Sequence, residues 1–132
     1  MKPEKVLFTL LAANAGVAAL TGHRLYADAA PQGTIKPFIV LGLLGDRPIH
    51  PIDATPGMDP WMARVQVNCF GGTSESAKGL AEAAITACEK ENGIIGGVQV
   101  ILIRVDTRVA SHYDMDVDTY QQAVDFFVHY YR

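Results

Sequence analysis

The chain has 132 residues, enough for one domain with its own core but not for two. It is 49% hydrophobic and 19% charged, which excludes a disordered or low-complexity chain. A net charge of −3 argues against a protein that grips DNA through its phosphates, and two cysteines, Cys69 and Cys88, are too few for a disulfide scaffold.

The first twenty residues imitate an export signal, with Lys2 and Lys5, an apolar run, and Ala13-Asn14-Ala15 as a small-x-small site. Glu4 opposes that reading. Val6, Leu7, Leu10 and Leu11 share one helical face, and Pro3 suits a first helical turn. Asn14 is placed to end this helix and cap a short second one through Val17 and Leu20, which Gly22 stops. The run is too short and interrupted for a membrane span.

Residues 38–44 read as a strand buried on both faces. Residues 45–60 carry Pro48, Pro51, Pro56 and Pro60, and the spacing predicts one long irregular loop. From Met62, Ala63, Val65, Val67 and Cys69 alternate with Arg64, Gln66 and Asn68, a half-buried strand antiparallel to the first. After Gly71-Gly72, Thr73 or Ser74 caps a helix whose Ala77, Leu80, Ala81, Ala84, Ile85 and Cys88 form an apolar stripe, ending at Asn92-Gly93. Strands follow over residues 98–108 and 119–131. With the N-terminal helical stretch counted once, the order is helix-strand-strand-helix-strand-strand. The expected fold is α+β: a mainly antiparallel four-stranded sheet with two helices packed on it, one domain over residues 1–132.

No segment carries a strong chemical signature. His112, Asp114, Asp116 and Asp118 group hard-cation ligands and echo a calcium loop, but Thr119 stands where such a loop needs glycine. A solvated turn explains them without a metal. Gly71-Gly72-Thr73-Ser74 opens a helix as an anion cradle does, yet Lys78-Gly79 inverts the Walker order, so a turn and cap suffice. Both cysteines sit on apolar stripes, where a thiol is packing, and His23, His50, His112 and His129 are scattered. The expectation is no enzyme, no metal and no cofactor. Trp61, at the mouth of the proline-rich loop, is a candidate partner anchor.

Three stretches carry a family resemblance: residues 11–26, LAANAGVAALTGHRLY, with Ala30-Pro31-Gln32-Gly33 before Pro37; residues 64–70, RVQVNCF, with Thr73 and an alanine-rich helix; and residues 125–130, DFFVHY. Together they resemble the tail-completion, or tail-terminator, family of long-tailed bacteriophages, with relatives in prophages and gene-transfer particles. Phe70 stands where many members carry Trp, which retains an aromatic. The resemblance implies a structural virion protein of the tail and neck, assembled in the bacterial host cytoplasm. It implies a homo-oligomeric ring, a hexamer, on the head-proximal end of the tail tube, with the tube protein and the head-tail connector or stopper as partners. DNA would pass through without specific binding, and no membrane is involved. Subunit or partner contacts are then expected at Arg47, His50, Asp53, Met58 and Trp61. Asp114, Asp116 and Asp118, on one face if the segment is extended, are expected to line the channel. The alternative is a small monomeric binding module or enzyme, exported if the N-terminus is a signal.

Overall fold

The computed structural model describes residues 3–49, 59–109, 111–116 and 118–131. Among the described residues three helices, α1 (Pro3–Ala13), α2 (Ala15–Thr21) and α3 (Ser74–Cys88), accompany seven strands: β1 (Leu25–Ala27), β2 (Phe38–Pro48), β3 (Pro60–Gly71), β4 (Gly93–Ile95), β5 (Val98–Arg108), β6 (His112–Asp114) and β7 (Thr119–Tyr131). The sheet runs β1-β2-β3-β7-β5-β4, with β6 also on β7.

This overturns the expected four-stranded antiparallel sheet with two helices. The four long strands are present and antiparallel as neighbours, but β1 joins β2 in parallel, so the sheet is mixed, and three helices cover it. The missed strands, β1, β4 and β6, have three residues each. That is too short to display a period of two, and each forms only because a longer strand offers its edge.

Local signals explain the helices. The Asn14 side chain accepts from Val17 N at 3.0 Å, ending α1 and starting α2, and Gly22 closes α2 in the left-handed region (φ 58°). Thr73 caps α3 through its hydroxyl, which accepts from Ser76 N at 3.0 Å. Gly71 lets that helix start hard against β3, since a Cβ there would lie 2.8 Å from Ala77 N. The helix stops at Cys88, short of the expected Asn92-Gly93, and Gly93 opens β4 instead.

All three helices lie on one face. Val6, Leu7 and Leu11 of α1, Val17 of α2 and the α3 stripe form one core with Ile39, Leu41, Val65, Val67, Phe126 and Val128. The N-terminal run that fits an export signal is thus core to this domain. No single helix among the described residues is long and apolar enough to cross a membrane, and α1 and α2 meet at 84°.

The expected loop 45–60 is shorter than its prolines suggest. β2 continues through Pro48 and β3 begins at Pro60, whose carbonyl accepts from Ile49 N at 2.8 Å. Proline is tolerated there because it sits at strand ends, where a ladder N–H is not required.

Candidate functional site

The sheet face away from the helices is built differently from the core. Alternation on β3 sends Arg64, Gln66, Asn68 and Phe70 to it, opposite Phe127, Asp125, Ala123 and Gln121 of β7. Asp125 is only 3% exposed, a carboxylate that needs partners to be stable there. Arg64 Nη2 donates to its Oδ2 at 3.0 Å and Gln66 Nε2 to its Oδ1 at 3.0 Å. Arg64 also reaches Asp106 of β5 at 3.1 Å, so one guanidinium ties three strands. Beside it, Gln121 Nε2 donates to Asn68 Oδ1 at 2.7 Å.

The Phe127 ring meets two cations, its centroid 4.9 Å from the Arg104 guanidinium and 6.0 Å from that of Arg64. Arg104 Nε donates to His129 Nε2 at 3.3 Å. Burial, and then the Arg104 charge, hold the His129 pKa below its ordinary value, which keeps the imidazole neutral and able to accept that bond. Met62, Arg64 and Phe127 also wall an open hollow of about 450 Å³ with Leu44, Gly45, Asp46 and Arg47.

At the other end of this face the β6–β7 hairpin carries the aspartates. Asp114 ends β6, and its Oδ1 accepts from Asp116 N at 3.0 Å. Asp118 Oδ1 accepts from the Tyr113 hydroxyl at 2.7 Å, and its carbonyl accepts from Lys36 Nζ at 2.8 Å. That hydrogen bond is the first cause raising the Tyr113 pKa. The three carboxylates therefore do not line one face of an extended segment: Asp116 and Asp118 are turn residues, with Asp118 at φ 47°. Phe38 and Phe70, stacked at 4.8 Å, floor a hollow of about 370 Å³ under this tip.

Of the expected contact residues, Arg47 is exposed on β2, and Trp61 is half-buried against the core with its Nε1 donating to Asp59 Oδ2 at 3.2 Å. His50, Asp53 and Met58 lie outside the described residues. The structure thus separates the two expected groups, Arg47 and Trp61 at one end of the sheet and the aspartates at the other. The Arg64–Asp125–Gln66 network was not anticipated. Its signal is Asp125 itself, the one carboxylate of β7, set between Val124 and Phe126.

The thiols of Cys69 and Cys88 are buried and pushed up to about 12 by that burial, so neither is a ready nucleophile. Among the described residues no three His, Cys, Asp or Glu side chains gather as metal ligands.

The sheet is thus sealed by helices on one side and left open, polar and half-buried on the other. The family model for tail completion protein gp17 matches residues 5–131, and the chain belongs to that family, a structural protein of the bacteriophage tail. Among solved structures it is similar to a chain of the virion of a native gene transfer agent particle, at TM-score 0.72 and 17% identity, covering 96% of this chain and 92% of that one. This likeness shows a shared fold. No curated protein matches the chain.

Proposed function

We propose that the protein is a tail terminator: it forms a homo-oligomeric ring, a hexamer, on the head-proximal end of the tail tube, stops tube growth and presents a face to the connector beneath the head. The observation that carries this reading is the extent of the family match, residues 5–131, which makes the whole domain the family's unit. The chain of similar fold comes from a virion particle and is covered over 92% of its length, which supports a particle component of this size. In this reading Arg47 and Trp61, at the end of the sheet where β2 turns to β3, belong to subunit or partner contacts. The Asp114–Asp118 tip, by its acidity, rims the DNA path and keeps the duplex from sticking.

Electron microscopy of particles made without this protein tests the reading. Tails of unregulated length, or heads and tails that do not join, are expected. Normal particles with joined tails of uniform length would overturn it.

A further inference from the structure

The two long edge strands are each half covered. β1 occupies β2 over Ile39–Leu41, with Ile39 N donating to Arg24 O and Asp28 N to Leu41 O. β4 and the turn after α3 occupy β5 as far as Ile103, which donates to Glu91 O at 3.1 Å and accepts from Lys90 N at 2.8 Å. Beyond these points, among the described residues, no backbone partner lies outside either strand. Unpaired strand edges are templates for another strand unless something blunts them.

Alternation along each ladder fixes which groups point outward. On β2, Ile39 and Leu41 face β1, so Leu43 faces outward too. A bulge at Leu44 shifts the phase, and Ile49, bonded to Pro60, points inward, so Asp46 and Pro48 are the next outward residues. On β5, Ile103 is outward and Val105 follows. A bulge at Asp106 shifts the phase there also, and Val109, whose N donates to Ala123 O at 2.9 Å, points inward, so Arg108 is outward. The Arg108 carbonyl accepts a long 3.4 Å contact from the Thr107 hydroxyl.

The two free edges are complementary. Each offers two outward residues three apart, because each carries one bulge between them. Successive pairings β2–β3, β3–β7 and β7–β5 are all antiparallel, so β2 and β5 run in opposite directions. A second copy added in the same orientation therefore presents β5 antiparallel to β2. Leu43 then pairs with Arg108 of the next copy, and Asp46 with Val105. The next pair would be Pro48 with Ile103, and both are closed: proline has no N–H, and Ile103 is already bonded. In one direction the pairing ends at Pro48 and Ile103, and in the other at Leu41.

We propose that copies of this chain join edge to edge through residues 43–46 of β2 and 105–108 of β5, continuing one sheet from subunit to subunit. This deepens the ring reading and rests on it. The contact is head-to-tail, which closes into a ring when its rotation divides a full turn. The side chains support it. Outward residues on both strands point to the helix side, as Asp46 does in accepting from the Tyr130 hydroxyl at 3.0 Å and Arg108 does in pairing with Glu82 of α3. Pairing thus keeps the helix layers of neighbours on one side and sets Asp46 one step from the next copy's Arg108. Leu43 and Leu44, 39% and 52% exposed, are covered. Within one chain Asp46 shares a row with Ala63, Val128 and Ile103; pairing it with Val105 staggers neighbours by two residues, about 7 Å. Such stagger tilts strands as a closed sheet requires.

The test is disulfide trapping in purified full-length protein at high concentration, with assembly read by light scattering. Directly opposed strand residues have Cα atoms about 5.5 Å apart, within disulfide reach. Leu43→Cys with Arg108→Cys should give a ladder of covalent multimers on mild oxidation. Leu43→Cys with Thr107→Cys, whose second side chain faces the other way, should give at least tenfold less. Assembly with no ladder, or equal ladders from both pairs, overturns edge pairing and leaves the ring intact. A protein that stays monomeric throughout overturns the ring and the edge pairing together.

Discussion

The two faces of one sheet obey different rules. Under the helices, Val65, Val67, Phe126 and Val128 are fully buried. On the open face, one strand position away, Arg64, Gln66, Asp125, Arg104 and His129 are held by hydrogen bonds, and Arg64 keeps 45% of its side chain exposed. Folding free energy is therefore concentrated on one side. The other side is ordered by directed bonds that fix shape without removing the surface from solvent. The proposed ring would need both, a subunit that folds alone and a surface left for its neighbours.

The largest expected effect strikes the helix face. Ala84, at 0% exposure on the α3 stripe, has no space or partner for a carboxylate. Ala84→Asp should cost more than about 4 kcal/mol and abolish cooperative urea unfolding. A soluble variant with an unchanged melting curve would erase the distinction between the faces.

On the open face the cost should be smaller and specific. Asp125→Ala should lose about 2–3 kcal/mol in chemical denaturation, reduced from a fully buried pair because Arg64 is half exposed and retains Asp106. Asp125→Asn, which keeps an acceptor for Gln66, should lose less. Equal losses would mean the charge contributes nothing beyond the hydrogen bond.

The cysteines sharpen the dry side. Cys69→Ala with Cys88→Ala should cost about 1–3 kcal/mol through lost packing and leave assembly unchanged by light scattering. Folded, each thiol keeps its proton up to about 12; unfolded, it releases it near 9.0. The unfolded chain therefore binds fewer protons between those values, and stability falls as pH rises through them. Urea titrations from pH 8 to 11 should show a shallower alkaline loss in the double variant than in the parent.

The smallest effect belongs to the open edge. Leu44→Lys, at a position 52% exposed, should change stability by no more than about 0.5 kcal/mol while placing a charge at the free stretch of β2. The expected reading is an unchanged melting curve with weakened self-association in sedimentation.

What was legible in the sequence was local or periodic. The caps at Asn14 and Thr73 act over three residues, and the α3 stripe and the β3 alternation repeat often enough to be read. Strand β1 was not, because three residues show no period and its parallel pairing depends on where β2 returns. Asp125 finds Arg64 and Gln66 across 61 and 59 residues, a meeting that no spacing encodes. The i, i+2, i+4 spacing of the aspartate trio fits an extended strand, whereas Asp114 and Asp118 use their own side chains to close a turn. Prolines overstated the loop, since at strand ends they cost the ladder nothing.

The claim that the helix side folds the subunit and the sheet's other surfaces join it to neighbours is tested most directly by amide hydrogen exchange, comparing dispersed with assembled protein. The account predicts slowed exchange on assembly at Leu43, Asp46, Val105 and Arg108, with α3 and the buried centre of β3 unchanged. New protection confined to α1 and α3, with those edge amides exchanging as fast as before, would contradict it.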